Sequence, residues 1–187
     1  VPSLIKKNKP IMNFTTHDLF VSSELLFDIF KKKLVFIEVL RHPLYMLIQQ
    51  TLNMERLLDN PRDIQIYLDF KKREVPYFAN DWESKFLKSN STEKAIYCIE
   101  SMMIKNNRVR KKLIKKNEKN LITIYFEDFI HSPNKYLKII ERRIGSKFTN
   151  SIQKILKEHK IPRKKIADGI DLEIYRRCGW KPPVEDF

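Results

Sequence analysis

Two short segments of the chain are almost continuously apolar, as expected for strands that are covered on both faces of a sheet. Residues 34–40 read Leu-Val-Phe-Ile-Glu-Val-Leu and contain a single charged side chain. Residues 121–126 read Leu-Ile-Thr-Ile-Tyr-Phe and are rich in β-branched and aromatic residues. A third, weaker strand is predicted over residues 11–15.

Apolar side chains recur at helical spacing over much of the remaining chain. The pattern predicts helices over residues 43–58, 92–115, 134–144 and 150–160. Pro43 suits the first turn of the first helix, because a proline there sacrifices no helical hydrogen bond. Ser132-Pro133 and Gly145 provide a start and a stop for the third helix.

This order of elements predicts an α/β fold, in which helices connect the strands of a parallel sheet. The 80 residues between positions 40 and 121 exceed what a single crossover needs, so a helical excursion is expected around residues 60–118. The 187 residues suit one domain and contain no internal repeat, linker or low-complexity block. Residues 1–187 are therefore expected to form a single domain.

The charge balance indicates an anionic partner. Lys and Arg number 37 against 23 Asp and Glu, which gives a formal net charge of +14. Such an excess suits nucleic acid, anionic lipid, or a ligand that carries phosphate or sulfate. The alternative is a compositional bias that scatters lysines over a solvated surface.

The cysteines argue against a zinc site and against a disulfide framework. Cys98 and Cys178 lie 80 residues apart, and neither belongs to a CxxC or Cys/His spacing. This usage fits a reducing compartment, so a cytoplasmic protein without a bound metal is expected. No apolar run approaches the roughly 20 residues of a membrane span, so no transmembrane segment is predicted.

Arg41 directly follows the first clear strand, and Pro43 then begins a helix. Ligands of open α/β sheets bind at the carboxyl ends of the strands. A guanidinium beside the N–H groups of a helix N-terminus can hold an oxyanion through its permanent charge and its paired donors. Arg41 therefore predicts a phosphate site, and the alternative is a side chain that extends into solvent or forms a local salt bridge.

Three segments together resemble the family of sulfotransferases that use PAPS (3′-phosphoadenosine 5′-phosphosulfate). Residues 14–17, Phe-Thr-Thr-His, are similar to the Thr-His pair that carries the catalytic base in cytosolic-type members. Residues 35–43 are similar to the signature of an apolar strand, Arg-x-Pro and a helix. Residues 125–133, Tyr-Phe-Glu-Asp-Phe-Ile-His-Ser-Pro, resemble the aromatic-Glu-Asp segment that ends in proline. The motifs stand in the family's order, over about residues 10–50 and 120–146.

The resemblance implies a P-loop-hydrolase-like, three-layer fold, of which this chain would be the helix-rich C-terminal portion. By position, Arg41 would bind the 3′-phosphate of PAPS. Phe126 would lie near the adenine ring, or would end a buried strand as a core aromatic. Gln49 occupies the position of a serine that usually makes a second phosphate contact. Glu127 and Asp128 are expected to be structural rather than catalytic.

The C-terminal residues Arg163 and Lys164 are loosely similar to a basic loop that covers the 3′-phosphate in the family. A solvated run of charge is the alternative, because the nearest glycine, Gly169, is not adjacent to the pair.

The implied reaction transfers a sulfuryl group from PAPS, as co-substrate, to a hydroxyl acceptor such as a carbohydrate. An alcohol is a poor nucleophile at neutral pH, so a base must take its proton, and the resemblance assigns this role to His17. The alternative for His17 is a loop histidine that is hydrogen-bonded to backbone. The residue pattern does not specify the acceptor.

The family binds the 5′-phosphosulfate through a loop near its N-terminus, and the 16 residues before His17 contain no glycine. The chain is therefore expected to be either N-terminally incomplete or a non-catalytic derivative, and to be impaired in turnover on its own. The absence of a Gly-Lys-Ser/Thr run also disfavours a P-loop kinase.

Residues 105–119 support a different hypothesis, a basic helical module that binds nucleic acid without catalysis. This segment contains eight Lys or Arg residues. It lacks the interleaved aromatics of a base-stacking surface, and no helix-turn-helix or zinc pattern accompanies it. We therefore favour the sulfotransferase-like hypothesis, under which no nucleic-acid partner is expected.

Overall fold

The computed structural model describes residues 11–15, 19–56, 66–116 and 118–164. Seven α-helices and four strands lie in these ranges: α1 (Ser23–Phe30), β1 (Phe36–Leu40), α2 (Pro43–Arg56), β2 (Tyr67–Phe70), β3 (Arg73–Pro76), α3 (Glu83–Lys88), α4 (Ser91–Lys115), β4 (Leu121–Tyr125), α5 (Phe126–His131), α6 (Pro133–Ile144) and α7 (Ser151–Glu158). Short 3₁₀-helices occupy Leu19–Ser22, Lys31–Lys33 and Tyr77–Ala79.

The two predicted buried strands pair with each other in parallel. Phe36 lies opposite Leu121, and Leu40 lies opposite Tyr125. Within the described residues this sheet has two strands, so the protein is a helix-rich α/β protein with a small parallel sheet. The larger three-layer, P-loop-like arrangement stays a prediction.

Helices cover one face of the parallel sheet and the β4 side of the other face. On that second face, Ile37 and Val39 of β1 are 39% and 59% exposed. One face packs beneath α1 and α4, in a core formed by Phe20, Phe27, Leu34, Phe36, Val109, Leu113 and Leu121. The other face packs on α6, in a core that contains Ile122, Ile124, Tyr136 and Ile140.

The excursion between β1 and β4 contains an antiparallel hairpin as well as helices. β2 and β3 pair from Tyr67 opposite Pro76 to Phe70 opposite Arg73. Lys71 and Lys72 form the turn with positive φ angles of 53° and 63°, and the side chain of Asp69 accepts a hydrogen bond from the Lys72 N–H at 3.0 Å. The hairpin belongs to a third core, formed by Met54, Val75, Ala79, Trp82, Phe86, Ala95 and Cys98.

The helix boundaries follow the local signals in the sequence. α4 begins at a capping box, in which Asn90 accepts from the Glu93 N–H at 2.9 Å and Glu93 accepts from the Asn90 N–H at 3.0 Å. α6 begins at Pro133 and ends at Gly145, whose φ of 70° suits a residue without a side chain.

Two sequence predictions about strands were wrong. Residues 11–15 form no regular element, and Ile11, Met12 and Phe14 are exposed. A strand needs a neighbour for its backbone groups, and the strands of the described residues do not pair with this segment. Phe126, predicted as the last residue of a strand, instead begins α5.

Candidate anion-binding site

Arg41 and Phe126 lie together at the carboxyl edge of the parallel sheet. Leu40 and Tyr125 are paired in register, so the next residue of each strand emerges at the same edge. The Cζ atom of Arg41 lies 5.3 Å from the centroid of the Phe126 ring, within the range of a cation–π contact. The structure therefore brings together two of the residues that the sequence predicted for cofactor binding.

Gln49 is the third predicted residue at this place. The Nη1 group of Arg41 donates to Oε1 of Gln49 at 3.3 Å. Arg41 is half-buried, so its guanidinium lies between a ring of α5 and an amide of α2. Gln49 thus contacts the arginine directly, a role that its position alone did not predict.

Glu127, in the first turn of α5, connects the end of β4 to the turn between β1 and α2. Its Oε1 atom accepts a hydrogen bond from the backbone N–H of His42 at 2.9 Å. This contact satisfies a donor at the start of α2, where backbone N–H groups lack partners within the helix. Glu127 therefore holds the turn that carries Arg41, and the matching signal in the sequence was only its place beside Phe126.

Hydrogen bonds within the protein reduce the number of backbone donors that the start of α2 can offer to an anion. The N–H of Leu44 donates to Nδ1 of His42 at 3.3 Å, and Pro43 has no N–H. Because His42 and Leu44 donate within the protein, the start of α2 offers fewer backbone donors to an anion than the sequence predicted. The attraction for an oxyanion therefore comes mainly from the Arg41 guanidinium.

We expect Glu127→Ala to loosen the Arg41 turn and to lower stability by about 1–2 kcal/mol, because one hydrogen bond to a carboxylate is lost. The amide hydrogen of His42 should exchange faster with solvent in this variant. Glu127→Gln keeps an acceptor oxygen and should restore most of the protection. Hydrogen-exchange NMR on the three proteins provides the measurement, and unchanged exchange of the His42 amide in the alanine variant would contradict the assignment.

Asp128, the next residue, stabilises the junction of α5 and α6. Its carboxylate accepts from the Tyr136 hydroxyl at 3.1 Å. Burial, and then this hydrogen bond, raise the pKa of Tyr136 above its ordinary value. The fold thus favours the neutral phenol of Tyr136. The stability that this preference contributes is complete below the ordinary tyrosine pKa, and it is lost as pH rises through the raised pKa of Tyr136.

A buried ion pair lies in the middle of β1, three residues before Arg41. Glu38 is 5% exposed, and its two carboxylate oxygens accept from Nη2 and Nε of Arg110 at 2.5 and 3.0 Å. Thr123 of β4 donates to the same carboxylate at 3.2 Å. The pair connects both strands to α4, which explains the one charged residue in an otherwise apolar strand.

The remaining predicted site residues are His17, Arg163 and Lys164. His17, the predicted base, is outside the described residues. The backbone N–H of Arg163 donates to the Ile130 carbonyl at 3.0 Å, and its Nη1 donates to the His159 carbonyl, just after α7, at 2.9 Å. These two contacts are structural. Lys164 is exposed.

A cleft with a volume of about 300 Å³ lies between the start of α6 and α7, and of the described residues predicted for the site, Arg41, Gln49, Phe126, Arg163 and Lys164, none lines it. Within the described ranges, no group of three or more His, Cys, Asp or Glu side chains is arranged to hold a metal ion. No helix in the same ranges has both the length and the apolar character needed to cross a bilayer.

Comparison with protein-family models, with curated proteins and with solved structures finds no significant match.

Proposed function

We propose that this chain is part of a sulfotransferase-like protein in which Arg41 binds the 3′-phosphate of PAPS. The observation that carries the proposal is the position of the Arg41 guanidinium against Phe126, at the carboxyl edge of two neighbouring parallel strands. This edge is where open α/β sheets bind their ligands.

The chemistry of an arginine held in this way suits a phosphate. A guanidinium is always charged and presents N–H donors in a fork that matches two oxygens of a phosphate. The contacts with Phe126 and Gln49 hold this fork in place before a ligand arrives, which reduces the entropy lost on binding. The aromatic ring would also provide a surface for the adenine of the nucleotide.

Gln49 would support this arginine and also contact the phosphate. Its Oε1 atom accepts from Arg41, so the amide nitrogen is the part of the side chain that would donate to a phosphate oxygen. This arrangement differs from a serine, whose single hydroxyl must serve both purposes.

Sulfuryl transfer would follow nucleotide binding. In the proposed reaction, the hydroxyl of the acceptor attacks the sulfur in line, and His17 takes the hydroxyl proton. The leaving group is adenosine 3′,5′-bisphosphate, whose 3′-phosphate stays on Arg41. Nucleotide binding is the step to which the described residues contribute.

Thermal unfolding with two nucleotides tests the proposal. Adenosine 3′,5′-bisphosphate at about a hundred times its Kd should stabilise the chain by roughly 3 kcal/mol and raise Tm by roughly 5–10 °C. Adenosine 5′-monophosphate, which lacks the 3′-phosphate, is the matched control and should have a much smaller effect. Equal shifts with both nucleotides, or no shift with either, would contradict the proposal.

The basic segment at residues 105–119 gives less support to nucleic-acid binding than its composition suggests. Half of its eight cations form ion pairs within the chain: Lys105 with Asp81, Arg110 with Glu38, Lys112 with Glu24 and Lys116 with Asp28. A cation that is paired internally has less to gain from a phosphate.

A further inference from the structure

The helix α1 presents an apolar face to solvent. Leu25 and Ile29 are 64% and 60% exposed, and their i, i+4 spacing places them on one side of the helix. Ser23 and Phe27 are buried on the other side. Phe30, at the end of the helix, is also exposed. We call Leu25, Ile29 and Phe30 the apolar row.

Exposed lysines lie next to the end of this row. Lys31, Lys32 and Lys33 follow α1 directly and are exposed. The side chain of Asn120 donates to the Lys31 carbonyl at 3.4 Å, so the loop before β4, with exposed Lys119, lies beside them. We call Lys31, Lys32, Lys33, Lys115 and Lys119 the lysine rim.

Ion pairs place the end of α4, and with it Lys115, against α1. Glu24 pairs with Lys112 at 3.0 Å, and Asp28 pairs with Lys116 at 3.7 Å. Lys112 and Lys116, which are not part of the lysine rim, balance the charges of Glu24 and Asp28. The two acids of α1 therefore do not offset the positive charge of the rim. Glu118 is the acid that lies in the same loops.

We propose that the apolar row and the lysine rim together form a surface that binds an anionic phospholipid bilayer. The aliphatic side chains would enter the boundary between head groups and acyl chains, while the lysines would contact lipid phosphates and carboxylates. This combination favours a bilayer over nucleic acid, because exposed aliphatic groups gain by leaving water and find no partner on a phosphate backbone.

The position of this surface is compatible with the nucleotide site. The lysine rim lies at the amino ends of β1 and β4, whereas Arg41 lies at the carboxyl edge. A strand of five residues spans roughly 16 Å. A bilayer bound at the rim would therefore leave Arg41 at the opposite edge of the sheet, and the proposal does not depend on the proposed nucleotide.

Co-sedimentation of the whole chain with vesicles tests this surface. We expect binding to vesicles of phosphatidylcholine mixed with phosphatidylserine, little binding to phosphatidylcholine alone, and weakening by salt. The triple variant K31Q/K32Q/K33Q should bind roughly a hundredfold more weakly, since each lysine near an anionic surface contributes about fivefold. The double variant L25S/I29S should lose roughly tenfold or more, because its polar side chains gain nothing at the interface.

The matched control is K138Q/K147Q/K157Q, which removes the same charge from exposed lysines of the α6–α7 region and should bind nearly as wild type. Circular dichroism checks that each variant folds, and L25A/I29A replaces the serine pair if that pair does not. The proposal is overturned by equal binding to both kinds of vesicle, by equal losses in the two lysine triples, or by full affinity in L25S/I29S. It is also overturned if a DNA duplex binds more tightly than the vesicles and is insensitive to L25S/I29S.

Discussion

Arg41→Ala should abolish the stabilisation that adenosine 3′,5′-bisphosphate gives to the fold. Charge-assisted hydrogen bonds from a fork of two donors contribute about 2–3 kcal/mol, so the affinity for this nucleotide should fall on the order of a hundredfold. Arg41 is half-buried just after β1, and it contacts the side chains of Gln49 and Phe126, which belong to none of the three cores. The variant should therefore fold, and its unliganded Tm should change little.

Two further variants make the Arg41 result specific. Arg41→Lys keeps the charge but loses the fork, so it should retain only part of the affinity. Arg143→Ala removes an exposed arginine from α6 and should bind the nucleotide as wild type does. Isothermal titration calorimetry gives the affinities, and an Arg41→Ala protein that binds within a few-fold of wild type would rule out the proposed site.

Glu38→Leu should destabilise the protein by about 3 kcal/mol, as measured by urea denaturation. The change leaves the guanidinium of Arg110 without its carboxylate in a largely buried place, and breaking one side of a buried pair costs about 3–5 kcal/mol. The lower end applies here, because the Arg110 side chain is 18% exposed and can recover some hydration.

A second substitution separates the loss of the ion pair from the loss of packing. The double variant Glu38→Leu/Arg110→Met replaces both charges with apolar groups and should recover most of the lost stability. Thr123 would still lose its acceptor, so recovery should be incomplete by about 1 kcal/mol. A single variant within 1 kcal/mol of wild type, or a double variant less stable than Glu38→Leu, would contradict this account.

The limits of α6 and the turn between β2 and β3 show where the local sequence was informative and where it was not. Ser132-Pro133 and Gly145 predicted the limits of α6, because a proline at the first turn and a glycine with positive φ act within a few residues. The β2–β3 hairpin was missed because its turn consists of Lys71 and Lys72. Hairpin turns with positive φ usually contain glycine or asparagine, so two lysines gave no signal there.

The candidate site was predictable in part. That Arg41 and Phe126 lie at the carboxyl ends of two strands could be read from the chain, and parallel pairing implies that such residues share an edge. That β1 and β4 are direct neighbours depends on 80 intervening residues folding away from the sheet. The contacts of Gln49 with Arg41 and of Glu127 with His42 depend on this pairing and carried no separate pattern.

The amino-acid order alone indicated β1, β4 and the helices α2, α4, α6 and α7, since periodicity, prolines and caps act over a few neighbouring residues. The partners of those elements came only from the tertiary structure. Glu38 illustrates the difference: its charge in an apolar strand is visible in the chain, but its partner Arg110 lies 72 residues away. Such pairs form because desolvation of each charge must be offset by the other, and that requirement applies to positions in space rather than to positions along the chain.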